Sequence, residues 1–302
     1  MKQTPITNTI SFIEPTGIVS SLSCAALVFS SSPGIVIDLN LSDADTEAVL
    51  KDIKPDSAYT THYHLDHSRF WQAVQKHSSA EFFIPSGEER MLSDTETFLK
   101  ETPGDHGDAE IWKVFIEFSG YKEIETYSIY DSEHKIQSGS TTIECIRTAG
   151  HSPSHTSFYL PSERALFTGD FGLNKYGPWY GWMSCDIPSY IESLLMLRSL
   201  KVETLLTSHE GIIRSDIDST WDDCLRQFFT REQLIRKELD SGKTHEEIVA
   251  KGIYFTNKDR VKEPMKTVIT IWDKIMLEHH LAFLENDPLQ KLYPRLAEKL
   301  LK

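Results

Sequence analysis

Four side chains able to ligate a metal fall within six residues of the sequence: His62, His64, Asp66 and His67, in the segment THYHLDHS. In an extended chain alternate side chains share a side, so His62 and His64 can grip one cation while Asp66 and His67 turn toward a second. A lone histidine is usually just solvated; four ligands this dense are not. Three further segments have the same character. TAGHSPSH places His151 after a glycine that follows a β-prone run, LFTGDFG places Asp170 at the end of an apolar one, and TSHEG places His209 after Leu205, Leu206 and Thr207. Each puts a polar ligand where α/β scaffolds present functional groups, on the loop leaving a rigid strand. Imidazoles and carboxylates suit zinc, iron or manganese, and no thiolate stands among them to select a softer ion. Two divalent ions about 3.5–4 Å apart can hold a bridging water, lower its pKa from about 15.7 toward roughly 7 and polarise the oxygen it attacks. No serine or cysteine nucleophile is then needed, and Asp66 can act both as ligand and as acceptor of the proton released.

The elements that must position these residues read as alternating strands and helices. Leu22 to Leu39 reads as a β-hairpin turning at Ser32-Pro33-Gly34. Ser42 can cap a helix carrying Ala44, Ala48, Val49 and Ile53, with Asp45 three residues beyond the cap and Pro55 as its stop. A β-prone run at 57–61 leads into the histidine segment, Phe70, Trp71 and Val74 suggest a helix, and 80–85 the next strand. From Ser86 to about Phe118 the apolar spacing turns helical, broken at Pro103-Gly104, which predicts a helical insertion overhanging a site. Strands resume at 127–130, 134–137, 141–147, 156–160 and 164–168, giving a second β-rich half from about 125 to 210. Two such halves with helices outside predict an α/β protein built as a four-layer αββα sandwich. Beyond Gly211 the periodicity is helical: Trp221, Leu225, Phe228, Ile235 and Leu239 mark one helix, Val268, Ile271, Trp272, Ile275 and His279 another, and Thr244 with Glu247 caps a third between them. The expected division is a catalytic domain over 1–215, with its insertion at about 86–120, and a C-terminal helical extension over 216–302.

Composition narrows the partners. In 302 residues, 31 Lys+Arg against 45 Asp+Glu give a net charge of -14, and no basic run interrupts that balance, which argues against nucleic acid. The most apolar early stretch is broken by Ser30, Ser31, Ser32, Pro33 and Gly34, so no membrane span is expected. Cys24, Cys145, Cys185 and Cys224 show no paired spacing, and MKQTPITNTISFIEPTG lacks the pattern of a secretory signal; both point to free thiols in the cytoplasm.

Taken together, His62-x-His64-x-Asp66-His67, His151, Asp170 and His209 resemble, in order, the five ligand motifs of the metallo-β-lactamase-fold metallohydrolases, over roughly residues 15–215. The resemblance implies two metal ions at one edge of paired sheets, most simply zinc, with iron or manganese possible in its place. His62, His64 and His151 would hold one ion, Asp66, His67 and His209 the other, and Asp170 would bridge them. It also implies a proton-accepting role for Asp66. True β-lactamases of this fold use a cysteine at the second metal or lack the bridging aspartate, and the stretch between Asp170 and His209 is too short for the large domain that nucleic-acid-processing members carry there.

What remains is hydrolysis of an ester, thioester or lactone carbonyl of a small molecule, as in members resembling glyoxalase II and the lactonases. Small-molecule phosphodiesterases, persulfide dioxygenases with one iron, and a non-catalytic signalling protein that keeps the site stay open beside it. Two departures from the commoner motifs, Ser208-His209-Glu210-Gly211 and Asp38-Leu39-Asn40, touch the packing behind the ligands. Trp179, Tyr180 and Trp182, close after Asp170, are candidate substrate-binding residues. His77, His106, His134, His155, His245, His279 and His280 match no motif, and His155 stands nearest a ligand. The terminal helices either cap the site or form a homodimer.

Overall fold

The computed structural model describes residues 1–16, 22–131, 133–285 and 288–301. The expected hairpin is present as β3 (Ala26–Phe29) and β4 (Ile35–Ile37), pairing Leu27 with Ile37 and Phe29 with Ile35. Side chains alternate along both strands. Leu27, Phe29, Ile35 and Ile37 enter one core, Val28 and Val36 the other. Strands covered on both faces lose the polar alternation of half-exposed ones, which is why ALVF and IVI are wholly apolar.

Before the hairpin lie β1 (Lys2–Pro5) and β2 (Ile10–Glu14), antiparallel to each other, with β2 on β3. Little in the residue pattern marks β1, a short and largely exposed edge strand. α1 (Asp43–Ile53) starts at Ser42, whose hydroxyl accepts from the Asp45 amide, and ends at Lys54 in left-handed conformation before Pro55. Next come β5 (Ser57–Tyr59), α2 (Leu65–Ser68), α3 (Trp71–His77) and β6 (Glu81–Pro85). The insertion forms α4 (Glu89–Ser93), α5 (Thr95–Glu101) and α6 (Ala109–Ser119), and β7 (Ser128–Tyr130) follows. β7 corrects the expected division of strands: it lies parallel to β6 and closes the first sheet, in the order β1-β2-β3-β4-β5-β6-β7. Parallel neighbours need a crossover of a dozen or more residues, and the helical insertion is that crossover.

The second sheet contains β8 (Lys135–Ser138), β9 (Thr141–Arg147), β10 (Thr156–Leu160) and β11 (Ala165–Phe167), then, after α7 (Ile187–Ser199), β12 (Thr204–Thr207) and β13 (Gly211–Ile213). Its order is β13-β12-β11-β10-β9-β8, with β11 and β12 parallel and the other pairs antiparallel. Between the sheets, Phe12, Leu27, Phe29 and Ile37 meet Ile143, Phe158, Phe167 and Leu206 in one core. The outer faces pack on helices, Val36 and Ala58 toward Val49, Leu50 and Val74, and Leu166 and Leu205 toward Ile191 and Leu194. This is the αββα layering expected.

The chain ends in α8 (Ile217–Asp240), α9 (His245–Lys251), α10 (Met265–Glu285), α11 (Leu289–Leu292) and α12 (Pro294–Leu300). The Thr244 capping box on α9 is formed as expected. α8 and α10 bury Trp221, Leu225, Phe228, Val268, Ile275 and Met276 in the outer core. Among the described residues no helix is long and apolar enough to cross a membrane. All four cysteines are buried free thiols.

Candidate metal centre

His62 and His64 lie on the loop leaving β5, and Asp66 and His67 on the single turn of α2 that the same loop enters. His151 leaves β9, Asp170 leaves β11 and His209 leaves β12. Ligands from both sheets thus converge at one edge of the sandwich. Two groups of ligand atoms result, each with its atoms within 4.8 Å of one another: His62, His64, His151 and Asp170, and Asp66, His67, Asp170 and His209. Asp170 belongs to both. Its Oδ2 lies 3.4 Å from His151 Nε2, 3.7 Å from His209 Nε2 and 4.0 Å from His67 Nε2. Asp66 Oδ2 is 3.2 Å from His209 Nε2 and 3.4 Å from His67 Nε2.

The bonds behind the cluster fix which ring nitrogens face inward. His67 Nδ1 donates to Asp38 Oδ2 at 2.7 Å, and His151 Nδ1 donates to the Trp179 carbonyl at 3.0 Å. Thr61 Oγ1 donates to Asp38 at 2.7 Å, so its lone pair is free to accept from His62 Nδ1 at 2.9 Å. One buried carboxylate therefore sets the tautomers of two histidines, directly for His67 and through Thr61 for His62. Both present Nε2 inward, and both Nε2 atoms are buried with no hydrogen-bond partner among the described residues. Buried polar atoms rarely go unpaired, and nitrogens left so beside two carboxylates fit a cation.

The electrostatics agree. Burial and then the neighbouring imidazoles hold His62 and His64 well below the usual histidine range, so they are neutral, as ligands must be. Burial works against ionising Asp66, but His67 and His209 beside it outweigh that and hold its carboxyl well below the usual range. Burial likewise opposes the charge on His209, yet Asp170 and Asp66 bring it up to about 9. Burial opposes the charge on His67 too, yet the carboxylates of Asp66 and Asp38 beside it hold it well above the usual range, so the protons kept on His67 and His209 stand where a cation would replace them.

Three residues outside the expected ligand set tie the site together. His155 accepts the Asp170 amide on Nε2 at 3.1 Å and is held through Nδ1 by Thr148 Oγ1 at 2.8 Å. Asn40 donates to the carbonyls of Asp66 at 2.7 Å and Leu22 at 2.6 Å, which gives the Asp38-Leu39-Asn40 departure a part in seating α2. Glu88, fully buried, accepts from the amides of Tyr63 and Ser154 at 2.8 and 2.7 Å and from the Ser152 hydroxyl, joining the His62–His64 loop to the His151 loop. Burial raises its carboxyl to about 7. Nothing in its local sequence marks it.

Over the cluster lies a cavity of about 320 Å³ whose floor includes His64, Asp66 and Asp170. Phe98, Phe115 and Phe118 of the insertion line it, so the insertion does overhang the site. Phe255 and, from α10, Met265, Ile269 and Trp272 close the other side. Of the aromatic run, Trp179 and Trp182 are on the wall. Tyr180 is not: it is fully buried on the far side of the segment, bonded to His280 Nε2 at 2.8 Å and stacked on Phe228. His106, His279 and His280 also make structural contacts, with Glu278, the Trp182 carbonyl and Tyr180.

A two-sheet sandwich with helices outside and a histidine–aspartate cluster at its edge is the architecture of the metallo-beta-lactamase fold. The chain belongs to the metallo-beta-lactamase superfamily, whose family profile matches residues 27–209. It is similar to the metallo-beta-lactamase family protein TTHA1429 of Thermus thermophilus, with a TM-score of 0.70 over 94% of this chain and 95% of that one at 17% identity, a likeness of fold. In sequence it is 26% identical to the beta-lactamase-like protein 2 homolog of Caenorhabditis elegans over 154 residues, 51% of this chain and 49% of that protein. It is 35% identical to an atrochrysone carboxyl ACP thioesterase of Aspergillus fumigatus over 104 residues, 34% of this chain and 23% of that protein. The matches thus span half or less of these relatives' lengths.

Proposed function

We propose that this protein is a cytoplasmic metal-dependent hydrolase that cleaves an ester-type carbonyl of a small molecule: an ester, a thioester or a lactone. His62, His64 and His151 would hold one divalent ion, and Asp66, His67 and His209 a second. Zinc fits the donor set best, with iron or manganese able to take its place. The observation that carries the reading is Asp170, whose carboxylate is common to both ligand groups on the floor of a cavity large enough for a small molecule. Two ions there would supply an activated water and a Lewis acid for the carbonyl oxygen. Asp66, ionised because His67 and His209 stand beside it, offers a carboxylate oxygen to the proton that the attacking water gives up. His155 and Asp38 keep Asp170 and His67 in register, and the aromatic walls flank the floor. Among the carbonyl classes, likeness to a fungal protein named as a thioesterase favours the thioester.

Elemental analysis of protein purified without chelator, alongside Asp170→Ala, tests the reading. The expected result is about two ions per chain, fewer in the variant, with wild type hydrolysing a member of an ester, thioester and lactone panel and the variant none. Loaded protein that hydrolyses nothing in the panel overturns it. One iron per chain with thiol-dependent oxygen uptake puts sulfur oxidation in its place.

A further inference from the structure

The cavity is walled by three parts of the chain distant in sequence: Phe115 and Phe118 from α6, Trp179 and Trp182 from the aromatic run, Ile269 and Trp272 from α10. Among the described residues lining it, the only carboxylates are Asp66 and Asp170 on the floor, and no Lys or Arg is present. A carboxylate or phosphate held against the walls, away from the floor, would lose its hydration with no lysine or arginine to replace it. The walls therefore select a neutral group.

Their geometry selects its shape. Trp179, Trp182 and Trp272 stand mutually perpendicular, with ring centroids 5.8, 5.3 and 5.4 Å apart and interplanar angles of 88°, 88° and 90°. Gly181 permits this arrangement, because a Cβ there would lie 2.7 Å from Trp179 Cζ2 and 2.9 Å from the Trp272 Cβ. Indoles set at right angles offer both faces and edges, the two surfaces that an incoming aromatic ring packs against. A volume of 320 Å³ is roughly twice that of an apolar cavity of about 150 Å³ that takes up benzene, which corresponds to two fused rings.

We propose that the group seated in this cavity is a neutral, bicyclic aromatic acyl group, its rings against the three indoles and its carbonyl at the Asp170 floor. The place of the carbonyl rests on the hydrolase reading; the binding of the rings does not.

The test is calorimetric titration of the metal-loaded protein with acetylnaphthalene, a neutral ketone of this shape that cannot be hydrolysed, run beside a panel of acetyl, succinyl and naphthoyl thioesters. Acetylnaphthalene should bind with a negative heat-capacity change, its saturated counterpart acetyldecalin more weakly, and a form carboxylated on the ring remote from the acetyl group, which sets the charge against the walls, more weakly still. Ile269→Trp, which fills the cavity, and Trp272→Leu, which removes one aromatic wall, should each weaken the ketone by about tenfold. Either variant suffices if the other does not fold. Absence of ketone binding, or equal binding of the decalin or carboxylate form, overturns the inference even if small thioesters are hydrolysed. Ketone binding without hydrolysis of any thioester upholds the cavity's selectivity and removes the thioester reading instead.

Discussion

Asp38 Oδ2 lies 2.7 Å from His67 Nδ1, with both side chains fully buried. The same carboxylate accepts the Thr61 amide and hydroxyl, each at 2.7 Å, and through that hydroxyl orients His62. Removing it frees two inward-facing rings at once. Asp38→Ala should therefore lower metal affinity by about 10–100-fold. Asp38→Asn, whose amide oxygen can still accept, should lose less. Competition with a chromophoric chelator measures both, and unchanged affinity in the alanine variant would remove Asp38 from the site's support.

Gly169 precedes Asp170 at φ +66°, and a Cβ there would lie 2.3 Å from His155 Nε2, the atom that accepts the Asp170 amide. Gly169→Ala combines left-handed strain with a clash against a fully buried ring. The expected outcome is a loss of about 2 kcal/mol in urea unfolding, together with reduced metal content because Asp170 is displaced. Full metal content at wild-type stability would show that the loop relaxes without moving the ligand.

Asp273 on α10 is fully buried, forms an ion pair with Lys258 at 2.5 Å and accepts the amides of Ile253, Tyr254 and Phe255. It thereby fixes the segment that brings Phe255 to the cavity wall. Asp273→Ala strands a buried ammonium and three amides, so it should cost about 3–5 kcal/mol. Adding Lys258→Met should restore part of that loss in a double-mutant cycle; strict additivity would mean that the pair is not coupled.

His280 is buried against Tyr180, and burial followed by the nearby Arg231 pushes its pKa down to about 3. The folded protein thus keeps the imidazole neutral, while the unfolded chain takes up a proton below the ordinary value of 6.5. Stability from this group is complete above pH 6.5 and is lost as pH falls toward 3. Between pH 7 and pH 5 it accounts for about 2 kcal/mol. In urea titrations at those two pH values, His280→Gln should show a smaller pH dependence than wild type by that amount. An identical dependence in both proteins would exclude His280 as its source.

The proposed ligands are legible in the sequence because four crowd into 62–67 and the other three stand just after β-prone runs, and the structure brings all seven to one place. The layering is legible too, since ALVF, IVI and ALF are too apolar for half-exposed strands. The supporting residues were hidden by distance along the chain. Asp38 meets His67 only because β4 and β5 run side by side, and Glu88 meets Ser152 and Ser154 only because the chain just after β6 faces the loop that leaves β9. An aromatic run does not say which of its side chains face the cavity, and Tyr180 turns the other way, toward His280. A three-residue strand carries no signature of its partner, which is why the pattern at 127–130 does not tell that β7 joins the first sheet.

The ligands are divided between the two sheets, with His62, His64, Asp66 and His67 on loops of the first and His151, Asp170 and His209 on loops of the second. Any ion held by both sets staples the layers together, and its binding energy adds to the folding energy as the logarithm of its free concentration. Withdrawal of metal should then do more than silence the protein: it should loosen the seam between the layers and expose the chain to proteases. Resistance to limited proteolysis, followed as a chelator is titrated in, would fall in step with metal content. Cellular metal supply would in that way govern how long each copy survives as well as what it does.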